Sequence, residues 1–461
     1  MSPTADRQPD KPSRHKAHPN ERLSSWYVAT LVAILMVYCG LAVVQSFATR
    51  LQWGPDEPAH VVYIRSLALD RRLPELTHEA EEDAYIPGAA HTYQAHHPPL
   101  YHFLASLAWH AFAGRPDEIV SYRAAGQAHQ YTVPGPVRPV RLLSIIFGVG
   151  ALLLAWMTAR TVFPDRPAIC LGGVALCAFT PMFTYLTGVI NNDSLLVVTV
   201  TAVAWRWARV LRFGGTTAEA GLIGLLIGLA INCKETALAL LPLTMVVFAL
   251  DSGARSARGW VGRIMLSLTI AALVGGWWLL RKWLLYGTPF VYAFVNPLLS
   301  LHPEQRWVAA YALPAQIFLF AFVPLDVVSR HLPLPVVSRS LGVLAAFSLA
   351  GIIALFARRR RLGIQSYEAW SLGLWLLAAT FVVGGLLRNV LLIDWRMGSA
   401  GGRFLVAVLP LLSLTSARSL SALFGDGRPA KIALVLAVLL MLALNIGVIW
   451  ATAAEYETLR F

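Results

Sequence analysis

Long apolar runs recur along the whole sequence, and they constrain the fold more than any other feature. The first extends from Trp26 to about Ala48. It is long enough to cross a bilayer, since a crossing helix needs roughly 20 residues. Ten further runs follow, near 139–159, 167–187, 194–212, 217–233, 236–251, 263–285, 338–357, 367–392, 403–424 and 431–452. We therefore predict an all-α polytopic membrane protein with about 11–13 transmembrane helices.

Composition agrees with a membrane protein and argues against a nucleic-acid binder. Hydrophobic residues make up 57% of the chain and charged residues only 14%, whereas soluble domains carry about 25% charged residues. The formal net charge of +13 is spread over many short segments between the apolar runs and forms no single basic patch. The four cysteines lie in or beside apolar runs and show neither a disulfide framework nor zinc-ligand spacing.

Basic residues predict the orientation in the cell membrane. Five precede the first span within the polar tail 1–25, so the positive-inside tendency places the N-terminus in the cytoplasm. The arginine run 358–361 marks another inner end. We accordingly divide the chain into a disordered cytoplasmic tail 1–25, a catalytic membrane module 26–285 with an outer loop 49–138, an irregular extracytoplasmic region 286–337, and a C-terminal membrane module 338–461.

Two amphipathic stretches fall within the first outer loop. One begins at Asp56 and runs to Arg72, and the other covers 98–113, where polar residues recur at every fourth position. We expect juxtamembrane helices that lie at the membrane interface. The sequence leaves open whether 98–113 and the proline-containing piece 308–325 cross the membrane.

Asp56, Glu57 and His60 follow the first span directly. Their spacing groups the three side chains on one face of a helix that begins there. Such a group suits acid–base chemistry at a membrane surface, but Asp56 can equally cap the helix, with Pro58 in its first turn. Because Pro-Asp-Glu recurs at 116–118, the tripeptide alone identifies no site, and both interpretations stay open.

Further polar groups fall at the predicted outer ends of spans. They are His97, Asn192, Asp193, Lys234, Arg281 and Arg403. Cations are less expected there under the positive-inside tendency. Simpler interpretations exist, since Asn192 or Asp193 can cap the next span and Lys234 with Glu235 can form a solvated turn. The histidines suit interfacial hydrogen bonding as well as metal binding.

The order of these motifs resembles a known superfamily. The motifs are Asp56-Glu57, His-Pro-Pro-Leu-Tyr at 97–101, Arg-Leu-Leu-Ser at 141–144, Asn192-Asp193, Lys234, Trp277-Trp278 with Arg281, and Gly402-Arg403-Phe404. The set is similar to that of the integral-membrane C-type glycosyltransferases that use polyprenyl-phosphate sugars, such as protein O-mannosyltransferases and aminoarabinose transferases. The resemblance covers about residues 26–285 and 402–410. Phe404 departs from it, because those enzymes usually carry tyrosine after this arginine.

The resemblance implies an inverting hexosyl- or pentosyltransferase that moves a sugar from a polyprenyl phosphate to an acceptor hydroxyl on the extracytoplasmic face. We predict that Asp56 is the catalytic base and that Glu57 assists it by raising the pKa of one member of the pair. Cations are needed to neutralise the departing phosphate. The predicted substrate-binding residues are His60, His97, Asn192, Asp193, Lys234, Arg281 and Arg403.

The predicted partners are the polyprenyl-phosphate-sugar lipid, a glycan, lipid or protein acceptor, and the bilayer, with no nucleic acid. No metal ligands are assigned, and a divalent cation is the one cofactor left open. A transporter or lipid flippase is an alternative, although such proteins place ionisable groups near the bilayer midplane. A non-catalytic membrane partner of the same fold is the other alternative.

Overall fold

The computed structural model describes residues 24–76, 93–124, 127–251, 256–290, 319, 321–324, 330–392, 402–425 and 427–456. Within them lie fourteen α-helices: α1 Ser25–Ala48, α2 Glu57–Ala68, α3 Leu100–Ala111, α4 Val137–Val162, α5 Pro167–Ala178, α6 Pro181–Thr187, α7 Asp193–Phe213, α8 Thr217–Ile231, α9 Leu240–Ala249, α10 Ala257–Tyr286, α11 Leu334–Ala357, α12 Ser366–Leu392, α13 Leu409–Phe424 and α14 Arg428–Tyr456. Short 3-10 helices cover Tyr93–His96, Glu235–Ala239 and Gly402–Val408, and strands β1 Glu118–Ala124 and β2 Gln127–Val133 pair as an antiparallel hairpin.

The predicted polytopic helical fold is confirmed. Among the described residues, eight helices are long and apolar enough to cross a membrane, and the bent pair α5–α6 makes a ninth. Helix α8 and the segment Glu235–Ala249 are shorter apolar helices. Each of the eleven predicted spans therefore corresponds to one of these helical segments. The tail 1–23 and most of the predicted irregular region 286–337, including all of 308–325 except 319 and 321–324, lie outside the described residues.

Pro181 divides the predicted span 167–187 into helices α5 and α6, which meet at an angle of 60°. Pro181 has no N–H to donate, so the helical ladder is interrupted there. Asn445 of α14 compensates, since its amide donates to the Phe179 carbonyl at 3.1 Å and accepts from the Thr184 hydroxyl at 3.1 Å. The bend fixes the position of the loop that follows α6.

Helix α3 has only 12 residues, which span about 18 Å and are too few to cross the bilayer. Two residues of its predicted polar stripe face the protein, whereas the third, His110, is exposed. His102 and Ser106 are buried, whereas Phe103 and Leu107 are 52% and 53% exposed. The outward face of this juxtamembrane helix is therefore apolar, as a helix at a lipid interface requires.

Side-chain contacts show which helix ends lie on the same side of the helix bundle. At one end, which we call the site end, Arg50 after α1 donates to the Tyr456 carbonyl of α14 at 2.7 Å. At the opposite end, the Arg212 guanidinium of α7 lies 5.4 Å from the ring centroid of Tyr367 in α12. The sequence predicts that the site end faces the extracytoplasmic side.

Candidate active site

A cavity of about 390 Å³ lies at the site end, where α1 ends and α7 begins. Its polar part is lined by Asp56, His60, Gln94, His96, His97, Asn192, Asp193, Lys234, Glu235 and Arg403. Its apolar wall comes from α7, α9, α12 and the 3-10 helix that begins at Gly402, and includes Leu196, Val200, Leu240, Leu243, Phe381, Val382, Leu386 and Val408. The cavity can therefore hold a ligand with one polar and one apolar part.

Asp56 occupies the N-cap position of α2, but its carboxylate makes no capping hydrogen bond. Its Oδ2 instead accepts a hydrogen bond from Nη2 of Arg403 at 2.5 Å, across 347 residues of sequence. The backbone of Asp56 is left-handed, with φ of 56°, a conformation that aspartate tolerates better than most residues. The capping interpretation explains the position of Asp56 but not the direction of its carboxylate.

The environment of Asp56 lowers its pKa. Burial alone would raise it, but Arg403, His60 and Lys234 together outweigh burial and hold the pKa below its usual range. The net shift is opposite to the increase expected from a neighbouring carboxylate. Asp56 is therefore ionised at neutral pH.

Glu57 does not line the cavity and is completely buried. Its two oxygens accept from Nε and Nη2 of Arg141 at 2.7 and 2.6 Å. They also accept from the backbone N–H of Ile190 at 3.0 Å and of Gly54 at 3.2 Å. Arg141 in turn donates to three carbonyls within residues 46–50. Glu57 thus ties together the end of α1, the start of α4 and the loop after α6.

The prediction that Asp56, Glu57 and His60 share one helix face is wrong. Helix α2 begins at Glu57, so Asp56 precedes it and has a left-handed rather than a helical backbone conformation. Only Asp56 and His60 line the cavity. The i, i+3 and i, i+4 rule applies only inside a helix, and here the first residue lies outside it.

Burial keeps His60 and His97 neutral. Nδ1 of His60 lies 2.9 Å from Nε2 of His102, whose ring stacks on Tyr63 with 3.9 Å between centroids. Burial lowers the pKa of His60 to about 4, although Asp56 opposes the shift. Burial also lowers the pKa of His97 well below its usual value. These side chains therefore offer hydrogen bonds rather than positive charge.

Lys234 forms the second charge pair of the cavity. Its Nζ lies 2.6 Å from Oδ1 of Asp193, and the two side chains are only 8% and 9% exposed. The amide of Asn192 donates to the Cys233 carbonyl at 3.0 Å, which fixes the backbone just before Lys234. The interpretation of Lys234 as a solvated turn residue is wrong.

The cap of α7 is formed by another residue. Oδ1 of Asn191 accepts from the backbone N–H of Ser194 at 3.1 Å, whereas the side chain of Asn192 makes no capping bond. Asn192 and Asp193 line the cavity, where Asn192 fixes the backbone before Lys234 and Asp193 pairs with the Lys234 ammonium.

The ring of Phe404 lies close to both cations of the cavity. Its ring centroid is 4.4 Å from Nζ of Lys234 and 5.5 Å from the guanidinium carbon of Arg403. Cations are attracted to an aromatic face at such distances. The residue that departs from the usual tyrosine thus helps to hold both cations on one side of the cavity.

The structure does not bring Arg281 into this cavity. Its Nη2 lies 3.7 Å from Oε1 of Glu75, and it lines a separate pocket together with Trp277. Helix α10 contributes to the cavity indirectly, because Nε1 of Trp278 donates to the His96 carbonyl at 3.2 Å. Arg281 is therefore not placed with Lys234 and Arg403.

Sequence reasoning missed Gln94, His96 and Glu235 as cavity residues. Glu235 forms an ion pair with Lys282, whose side chain is completely buried. The signal was visible as two adjacent charged pairs, 234–235 and 281–282. Their spacing could not show which members face inward.

The cations of the cavity suit an anionic ligand. Among the described residues, no group of three His, Cys, Asp or Glu side chains is placed to hold a metal. The carboxylates of Asp56, Asp193 and Glu235 each face a cation. Lys234 and Arg403 lie close to the same ring, so a phosphate could bind both.

Comparison with known proteins supports the resemblance seen in the motifs. Residues 135–278 match the family of dolichyl-phosphate-mannose-protein mannosyltransferases. The matched segment contains Arg141, Asn192, Asp193 and Lys234. The resemblance of this chain to the integral-membrane C-type glycosyltransferases is thereby confirmed. No curated protein sequence matches the chain.

Three solved structures align with most of this chain, each with a TM-score below 0.5. ArnT from Cupriavidus metallidurans bound to undecaprenyl phosphate is 15% identical, with 87% of this chain and 79% of that chain covered and a TM-score of 0.42. The Archaeoglobus fulgidus oligosaccharyltransferase, in complex with Zn and sulfate, is 18% identical, with 92% and 52% covered and a TM-score of 0.47. Arabinosyltransferase EmbB from Mycobacterium smegmatis is 11% identical, with 96% and 43% covered and a TM-score of 0.46. The chain spans about half the length of the latter two.

Proposed function

We propose that the protein moves a sugar from a polyprenyl-phosphate donor to an acceptor hydroxyl on the extracytoplasmic face of the membrane. The observation that carries this proposal is the cavity that joins Asp56, Lys234 and Arg403 to an apolar wall. A lipid-phosphate sugar has the same division, since its tail stays in the bilayer and its scissile bond lies at the polar interface.

The apolar wall suits the lipid tail of the donor. On α7 it extends from Asp193 through Leu196 to Val200, which corresponds to a rise of about 10 Å along the helix. On α12 it includes Phe381, which is 43% exposed on the surface of the helix bundle. A prenyl chain can follow this wall from the two cations towards the membrane core.

Lys234 and Arg403 suit the donor phosphate. Charge-assisted hydrogen bonds to phosphate are stronger than neutral ones, and Phe404 already holds the two cations near each other. The phosphate would compete with Asp56 for Arg403 and with Asp193 for Lys234. Donor binding would therefore leave the carboxylate of Asp56 without its strongest cationic partner.

Asp56 then serves as the general base. The acceptor hydroxyl transfers its proton to Asp56 while its oxygen bonds to the anomeric carbon of the sugar. The bond between that carbon and the phosphate oxygen breaks, and its electron pair remains on the phosphate, where Lys234 and Arg403 stabilise the charge. A single displacement of this kind inverts the configuration at the anomeric carbon.

Other predicted residues support this centre. Glu57 assists Asp56 by position, because its bonds to Arg141 and Gly54 fix the turn that carries Asp56. His60 and His97 line the cavity as neutral groups and can bind hydroxyls of the sugar or the acceptor.

The placement of the charges favours an enzyme over a transporter. Asp193 is the first residue of α7, and Lys234 precedes the 3-10 helix that begins at Glu235. The ionisable groups of the cavity thus lie at helix ends, whereas a transporter places them near the bilayer midplane.

The experiment that tests the proposal uses the purified full-length protein with polyprenyl-phosphate sugars labelled in the sugar. Glycan, lipid and peptide acceptors are supplied together. We expect labelled acceptor and free polyprenyl phosphate to accumulate at equal rates. Donors that bind but never lose their label, or no binding of any donor, would refute the proposal.

A further inference from the structure

Glu235 is a wall residue of the cavity that has no role in the mechanism above. It begins the 3-10 helix after Lys234, and its side chain keeps 13% exposure. Its Oε1 lies against Nζ of Lys282 on α10. Lys282 has no exposed side-chain surface and does not line the cavity, so the exposed part of the pair belongs to the Glu235 side chain.

This pair differs from the other two charge pairs of the cavity. In the pairs that contain Lys234 and Arg403, both the cation and the carboxylate line the cavity. A phosphate can therefore reach those two cations, but it cannot reach Lys282. Glu235 keeps its cation when the donor binds, and it presents a charge-neutralised hydrogen-bond acceptor to whatever lies beside the phosphate.

The chain geometry places Glu235 beside the sugar. Glu235 follows Lys234 directly, and consecutive Cα atoms are about 3.8 Å apart. In a sugar phosphate, the sugar is bonded to the phosphate through a single oxygen. If Lys234 holds that phosphate, the first hydroxyl groups of the sugar lie within reach of the next residue. An ionised carboxylate only accepts hydrogen bonds, and sugar hydroxyls donate them.

Lys282 is buried together with its partner carboxylate. An ammonium and a carboxylate lose hydration free energy when they are buried, and their mutual attraction compensates for this loss only when the geometry is good. Apolar residues at such a position often give equal stability. What distinguishes this pair from the buried pair Glu368–Arg418 is that one of its members, Glu235, lines the cavity and can contact a ligand.

We propose that Glu235 binds hydroxyl groups of the donor sugar and so distinguishes the sugar-loaded lipid from bare polyprenyl phosphate. This proposal rests on the proposed function, since it assumes that the cavity binds a polyprenyl-phosphate donor. Lys282 acts as a positioning residue that neutralises and orients the Glu235 carboxylate.

The test compares dissociation constants for undecaprenyl phosphate alone and for undecaprenyl phosphate carrying mannose, glucose, galactose or arabinose. The ratio of the first constant to that of the tightest sugar donor measures the preference for the sugar. The double variant Glu235→Gln with Lys282→Met removes both charges together and leaves no uncompensated ion. We expect the preference to fall about tenfold, as for the loss of one charge-assisted hydrogen bond, while affinity for undecaprenyl phosphate stays within about twofold.

The matched control is a second buried pair outside the cavity. Glu368 and Arg418 pair at 2.7 Å, and Arg418 is completely buried. The variant Glu368→Gln with Arg418→Met should leave the preference unchanged. Glu235→Asp, which keeps both charges but withdraws the carboxylate by one methylene, should also reduce it and provides a test if the double variant does not fold.

Each outcome separates this proposal from the function on which it rests. A wild-type protein that binds undecaprenyl phosphate but shows no preference for any sugar donor overturns the role of Glu235 and leaves the donor site intact. If the Glu235 variants keep the wild-type preference for the sugar donor, the proposed role of Glu235 is also overturned. A wild-type protein that does not bind undecaprenyl phosphate at all instead refutes the proposed function.

Discussion

Replacement of Asp56 by asparagine is the most direct test of the proposed mechanism. The side chains have the same shape, and asparagine also tolerates the left-handed backbone that Asp56 adopts. Asparagine can take the N-cap position of α2 as well as aspartate can. The substitution therefore removes the negative charge and the proton-accepting oxygen with little change to the local backbone.

The structure sets the size of the expected effect. A general base contributes about 10²–10⁴-fold to the rate, or about 3–5 kcal/mol of the activation barrier. Asp56 and Arg403 are only 20% and 19% exposed, so removing the carboxylate leaves a largely buried cation and should cost more than the ~1 kcal/mol of a surface pair, up to about 3 kcal/mol of stability. Donor affinity should stay within a few-fold of wild type or improve, because Arg403 no longer has a competing carboxylate.

The assay measures single-turnover transfer at saturating donor and, separately, donor binding. The matched control is Asp117→Asn in the second Pro-Asp-Glu tripeptide, where Asp117 accepts from the Gly135 N–H at 3.1 Å on the hairpin side of the loop. This control should transfer sugar normally. If Asp56→Asn also turns over within about threefold of wild type, Asp56 is not the base and its carboxylate has only a structural role.

Three further predictions concern the phosphate site, the pH profile and the topology. Lys234→Ala and Arg403→Ala should each weaken donor binding by about tenfold or more. Arg281→Ala changes a residue outside the cavity and should alter donor binding less than about threefold. Equal losses in all three variants would contradict the assignment of the phosphate to Lys234 and Arg403. Because the pKa of Asp56 is lowered in the free protein, kcat/KM should fall on the acid side only below the ordinary carboxyl value of about 3.9. The value of kcat should fall at a higher pH, because the bound phosphate takes Arg403 away from Asp56. If both profiles fall at the same pH, Arg403 does not move from Asp56 to the phosphate. A cysteine at Arg360 should be labelled only from the cytoplasmic side, and labelling from outside would reverse the predicted orientation.

Much of the architecture could be predicted because it depends on local composition. Apolar runs of membrane length specify spans with little regard to their partners. Charged residues confined to the ends of those runs identify where polar chemistry can occur. Asp56, Asp193, Lys234 and Arg403 were selected on this basis, and the structure brings all four to one cavity. Whether they perform the proposed chemistry is a separate question for the variants above.

The partners of the charges could not be predicted in the same way. Glu57 binds Arg141 across 84 residues, and no local pattern encodes that contact. Arg281 and Lys282 are adjacent, yet successive residues of a helix project about 100° apart. The sequence favoured Arg281, whereas packing buries Lys282 against Glu235 and leaves Arg281 at a separate pocket. Only tertiary structure decides which of two neighbouring cations faces a cavity.

The pairing of charges within the cavity also suggests why the base would not act before the donor is bound. In the structure Asp56 faces Arg403 and Asp193 faces Lys234, so both carboxylates are neutralised by the groups that would bind phosphate. An arginine-paired carboxylate with a lowered pKa is a poor proton acceptor. In the proposed mechanism, the phosphate takes Arg403 and thereby raises the basicity of Asp56 at the moment when the leaving group is in place. Activation of the base and recognition of the donor would then depend on the same arginine.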